Sequence, residues 1–190
     1  MSSQEKNIMT FFGAIIIIAI FGAAVYFILQ KQERDRLINT FGEDIMTLCE
    51  RPVTGDTGSF NNVPRLEPLY FLVLEGSEKS DWHDDVPSNM QAETREQLNV
   101  VACIYDEREV ALEECYYTNL STINRVGWGR YVTLYNPDTL QLMMRFDVHG
   151  APPPSCELMN RSDTGDVKVR KGSKPDGDDF VSTLMMAVRR

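Results

Sequence analysis

From Ile8 to Leu29 the chain carries 22 consecutive residues without a charge, and no other feature restricts it as much. An α-helix rises about 1.5 Å per residue and the apolar layer of a bilayer is about 30 Å thick, so this run is long enough to cross once. The pattern predicts a short tail over 1–7 and a transmembrane helix over 8–30. A cleaved signal peptide is the competing reading, with Gly22, Ala23 and Ala24 imitating a small-residue cleavage site. The apolar run nevertheless continues through Val25, Tyr26, Phe27, Ile28 and Leu29, past the point where a signal core stops, so the segment is expected to be retained as a single-pass anchor. Ala19 and Ala23 stand four apart on it, a spacing that lets a second helix approach closely.

The side of the membrane is harder to read. Lys6 precedes the run, whereas Lys31, Arg34 and Arg36 follow it, and basic residues favour the cytoplasmic side. The cysteines give the opposite answer. Cys49, Cys103, Cys115 and Cys156 are even in number and widely spaced, with no C-x-x-C pair to suggest zinc or a thioredoxin-like centre. Behind an anchor they read as two disulfides, which need an oxidising compartment. A bias of two or three basic residues, interrupted by Glu33 and Asp35, is overridden more easily than that requirement. The carboxyl-terminal domain is therefore expected outside the cytoplasmic membrane. A cytoplasmic-facing subunit with reduced cysteines is the alternative.

Residues 1–36 hold four of the 19 basic and three of the 28 acidic side chains, which leaves 15 against 25, a net charge of −10, for the remainder. Such a surface repels phosphate backbones and argues against nucleic acid as a partner. Within it, Leu37, Ile38, Phe41, Ile45 and Leu48 recur at helical spacing and predict an amphipathic stalk over 31–50. "RPVTGDTGSFNNVPRLE", 51–67, reads as a linker loop.

The rest, 68–190, reads as α+β: an antiparallel meander with a carboxyl-terminal helix. "LYFLVLE" (69–75) and "LNVVACIYD" (98–106) are apolar strand candidates, and "VALEECYYT" forms the next. "WGRYVTLY" and "LQLMMRFDV" form a hairpin about "NPDT", with Leu140, Leu142, Met144, Phe146 and Val148 on one face. Asp178 or Asp179 is expected to cap a helix whose apolar face is Phe180, Val181, Leu184, Met185 and Val188. A tight turn at "DERE" (106–109) would put Cys103 and Cys115 on opposite faces of the sheet, so the expected pairs are Cys49 with Cys103 and Cys115 with Cys156.

"DWHDDVP", "QLNVVACIYDE", "CYYT", "RYVTLYNPDTLQLMMRFDV" and "GAPPPSC" follow one another over roughly residues 80–160. Their order resembles an uncharacterised group of bacterial proteins, often membrane-anchored, whose β-rich domain keeps "C.Y" and "PP..C" at comparable spacings. The resemblance implies an extracytoplasmic domain with paired cysteines and carries no activity. Where that group often has Thr-Gly in the hairpin turn, this chain has Asp138, Thr139 and Leu140, and a Pro that often follows the last Cys is Glu157 here.

Catalytic signals are sparse. No G-x-S-x-G, Walker, G-x-G-x-x-G or H-E-x-x-H pattern occurs, so no catalytic, cofactor-binding or metal residue is assigned. The two histidines, His83 in "DWHDD" and His149 in "DVHG", could form a metal site with nearby aspartates if the fold united them, as in a membrane-tethered hydrolase or metalloenzyme. The simpler expectation is a solvated loop around His83 with Trp82 packed on the core. Met143, Met144, Met185 and Met186 read as core filler rather than copper ligands. The chain is thus expected to be a non-catalytic binding or accessory subunit of a membrane assembly.

Overall fold

The structure, a computed structural model, describes residues 3–50, 68–116, 122–156 and 168–188, with side chains in the first and last of these segments described from Ile18 and Val169 onward. The linker expected over 51–67 lies outside the described residues. The chain divides into two units, Met1–Thr40 and Phe41–Arg190. The first is helix α1 (Ser3–Phe41), which contains the whole uncharged run. Among the residues whose side chains are described, which in α1 begin at Ile18, no helix is long and apolar enough to cross a membrane.

The helix does not continue to Cys49 as the stalk pattern predicts. It stops at Phe41 because Gly42 takes a φ of 94°, a left-handed conformation that ends helical hydrogen bonding. A separate turn, α2 (Glu43–Met46), and a 3-10 turn (Leu48–Glu50) follow. Phe41, Ile45 and Leu48 are buried, so the apolar spacing is used, but in two short pieces.

Among the described residues the second unit holds a mostly antiparallel sheet of six strands: β1 (Phe71–Glu75), β2 (Glu78–Lys79), β3 (Val100–Tyr116), β4 (Thr122–Tyr135), β5 (Leu142–His149) and β6 (Lys168–Lys171). The order is β2-β1-β3-β4-β5, and β6 pairs with β4 beyond the end of β5. Two pairings, β1–β3 and β4–β6, are parallel. The run "FLVL" is apolar throughout because β1 is buried on both faces. Phe71 and Val73 join Val100, Ala102, Ile104, Val132 and Leu134 in one core, closed by Trp82, Phe180 and Leu184. Leu72, Leu74, Val101 and Cys103 alternate to the other face, where Cys49 is bonded to Cys103.

"DERE" is not a turn. Residues 100–116 form one strand, paired with β4 from Val101↔Tyr135 to Tyr116↔Thr122, with irregularities at 104–107 and 111–113. Twelve residues along a strand separate Cys103 from Cys115 by roughly 35–40 Å, which is why they do not bond. The structure pairs Cys49 with Cys103 and Cys115 with Cys156, with Cα separations of 5.2 and 5.4 Å. The pairing coincides with the expected one, but distance along one strand, not the opposite faces of a hairpin, enforces it. Both bonds point to an oxidising, extracytoplasmic location.

At the β4–β5 hairpin, Leu134 faces Met144 and Tyr135 faces Leu142, so Met143 is an extra residue and both methionines are buried. Asn136 Oδ1 accepts from the amides of Asp138 and Thr139, while Leu140 sits at φ 54°, the position suited to glycine. Helix α3 (Gly177–Val188) is capped by Asp176 rather than Asp178 or Asp179: its carboxylate accepts from Asp179 N–H, and Asp179 accepts in return from Asp176 N–H. This reciprocal arrangement explains the acidic run before the helix.

Candidate functional site

The sheet face that carries Cys103 changes character beyond the buried core. On β4 the side chains of Tyr135, Thr133 and Tyr131 share that face by alternation, and the register places Arg145 opposite Thr133 and Asp147 opposite Tyr131 on β5. Tyr105 continues the same face from Val101 and Cys103 on β3. Its ring meets Tyr131 edge-on at 6.0 Å between centroids, and Thr133 Oγ1 donates to its hydroxyl at 3.4 Å. Burial pushes the Tyr105 phenol up to about 12, so it stays protonated and able to donate at any physiological pH.

Two guanidiniums flank Tyr131. The Arg145 carbon lies 4.9 Å and the Arg108 carbon 5.3 Å from the ring centroid. Arg108 donates to Asp147 at 2.5 Å. Arg145 Nε is buried without a hydrogen-bond partner, and among the described residues no carboxylate pairs with its guanidinium. The signal for this cluster was present in sequence as the alternation Tyr131, Thr133, Tyr135 and Arg145, Asp147, but only the register shows that these residues adjoin.

The histidines are not brought together. Val73, beside His83, faces Ala102, which faces Leu134, whereas His149 faces Gly129, five residues further along β4 and on the opposite side of it. That register puts the two imidazoles roughly 20 Å apart, too far to share a metal. His83 is also not in a solvated loop. Ser80 accepts from Trp82 N–H to start a 3-10 turn (Asp81–His83), which buries both Trp82 and His83. Val73 N–H donates to His83 Nδ1 at 3.2 Å, so the ring is neutral with its proton on Nε2. Burial, with the Lys79 charge adding to it and Asp84 opposing, lowers its pKa to about 4. Asp81, Asp84 and Asp85 remain exposed.

Glu113, Cys115 and Cys156 place one carboxylate oxygen and two sulfurs within 4.8 Å of one another. With both sulfurs in a disulfide there are no thiolates to ligate a metal, and Cys156 Sγ, 3.2 Å from Glu113, has no proton to donate. Arg125 ties this corner together, donating to Glu113 and, at 2.5 Å, to the Pro153 carbonyl of "GAPPPSC". Met143 and Met144 belong to the core, while Met186 at the far end of α3 is exposed. Compared with protein families, curated proteins and solved structures, the chain matches none.

Proposed function

We propose that this chain is a single-pass, membrane-anchored and non-catalytic module that holds its disulfide-bonded domain outside the cytoplasmic membrane, as a binding or accessory subunit of a membrane assembly. The observation that carries this reading is α1. Ile18, Ile20, Phe21, Val25, Tyr26, Phe27, Ile28 and Leu29 are each more than half exposed, and the five consecutive positions 25–29 take in every side of a helix. An apolar surface on all sides belongs in lipid or against other helices, because each such side chain left in water forgoes about 1.5–3 kcal/mol. Ala19 and Ala23 are exposed on the same helix and offer a close-approach surface to a second one.

The domain supports a binding rather than a catalytic role. Its buried histidine is held neutral by the core, its other histidine lies on a different strand and faces Gly129, and one face of its sheet gathers tyrosine and arginine, residue types enriched at interfaces. Protease added to intact producing cells, or to spheroplasts where an outer barrier exists, should remove the domain while a fragment containing 8–30 stays with the membrane after alkaline carbonate extraction. Full protection from protease would favour the cytoplasmic-facing reading that Lys31, Arg34 and Arg36 support. Release of the whole chain by carbonate would overturn the anchor.

A further inference from the structure

We propose that Arg145 and the tyrosines around it dock an acidic, extended segment of a partner protein, with one carboxylate of that segment received by the Arg145 guanidinium. The proposal rests on the reading of the domain as a binding module and names what it binds.

The charge distribution singles out Arg145. Lys79, Arg95, Arg108, Arg125, Arg130, Lys171 and Lys174 each lie against a carboxylate of this chain. Arg145 does not, among the described residues, although the portion after residue 36 has 25 acidic side chains for 15 basic ones. Among the described residues its Nε, already out of water, has no partner, and its guanidinium meets only the Tyr131 ring. Two guanidiniums share that ring with a single carboxylate, Asp147, which leaves local positive charge on an acidic domain. A guanidinium stacked on an aromatic face is held in one orientation, with its remaining N–H groups available as a fork for a carboxylate.

Position indicates the form of the ligand. β5 is the edge of the sheet, and among the described residues its outer side has no strand beside it. A segment added there in extended conformation would set a side chain directly opposite Arg145 on the same face, about 5 Å away between Cβ atoms. An acidic residue at that one position answers the unpaired charge. Long polyanions are disfavoured because the net charge of −10 beyond residue 36 repels them, whereas a single carboxylate on a protein segment meets only the local positive field. Tyr131 and Tyr105, both half-buried, supply rigid contact area around the ion pair at small entropic cost.

The test uses the full chain in lipid nanodiscs of zwitterionic lipid and a fluorescein-labelled ten-residue Thr-rich peptide with a single central Glu, read by anisotropy. Wild type should bind saturably, with affinity falling as salt rises from 50 to 500 mM. Arg145→Met should weaken binding at least tenfold while leaving the melting temperature equal or higher, since it removes a partly buried cation that the fold does not pair. Lys79→Gln, on the opposite edge of the sheet, should bind as wild type. Should Arg145→Met not fold, Arg145→Lys replaces it, expected to keep the fold and lose affinity with the planar fork. Absence of saturable binding, unchanged binding by the Arg145 variants, or equal binding of the same peptide with Lys in place of its Glu would overturn the proposal. So would displacement of the peptide by vesicles of anionic lipid, which would assign the site to a headgroup. Because the purified chain is used, these outcomes are independent of which side of the membrane the domain occupies.

Discussion

Between Val100 and Ile104, β3 is buried at every position, whereas from Asp106 to Glu114 the same strand is exposed at nearly every one. The inner stretch is covered on both faces. The outer stretch is a ribbon whose side chains pair by charge: Glu107 with Lys174, Glu109 with Lys171 and Glu113 with Arg125. Trp128 lies under both Lys171 and Lys174, and the Cys115–Cys156 bond closes the far end. Backbone also meets backbone there: a Cβ at Gly150 would overlap Ser173 and Lys174, and one at Gly172 would overlap the Ala151 carbonyl. One strand can therefore be maintained by two kinds of force, apolar burial at one end and covalent, ionic and close backbone contacts at the other.

Truncating the inner half should have the largest effect. Phe71 of β1, paired with Val100 at the start of that inner stretch, is fully buried, and Phe71→Ala should destabilise the domain by about 4 kcal/mol in chemical denaturation. A loss under 1 kcal/mol would mean that the inner half is not the core.

Acid should act next. Folded His83 takes up a proton only near pH 4, against 6.5 when exposed, so the unfolded state binds more protons between those values and stability falls as pH drops through that window. Above pH 6.5 the contribution is complete. The loss should reach at most ~3 kcal/mol below pH 4, and His83→Gln should flatten this part of the stability profile. An unchanged profile in the variant would show that His83 is not held neutral by the core.

Leu140→Gly should raise stability by about 1 kcal/mol, because the left-handed conformation costs a side chain that much and glycine nothing. At the low end, Glu109→Gln in the ribbon should cost less than about 1 kcal/mol, since both partners are half-exposed, and the cost should shrink further in high salt. A cost equal to that of Phe71→Ala would erase the distinction between the two halves.

Burial was the legible part of this fold. β1, the inner end of β3, the β4–β5 hairpin and the apolar face of α3 follow from apolar runs and alternation, because those patterns record a residue's contact with the core. The outer ribbon was hidden for the converse reason. "DERE" has the composition of a turn, and nothing local discloses that Lys171 and Lys174, more than sixty residues later, stand beside Glu109 and Glu107. The bulge at Met143 and the left-handed Leu140 depend on cross-strand register, which a period-two pattern does not encode. His83 was misplaced because its aspartate neighbours suggested solvent, while Ser80 and the Val73 amide turn it inward. The grouping of Arg145 with Tyr131 and Thr133 is not legible because each member is ordinary on its own strand and only the register makes them neighbours.

The central claim, a domain folded around two disulfides in an oxidising compartment, is tested most directly by the thiol state of the freshly isolated full chain. Alkylation in denaturant, read by intact mass, should add nothing before reduction and four labels after it, with non-reduced peptides linking Cys49 to Cys103 and Cys115 to Cys156. Four labels without reductant would contradict the account and place the domain on the cytoplasmic side.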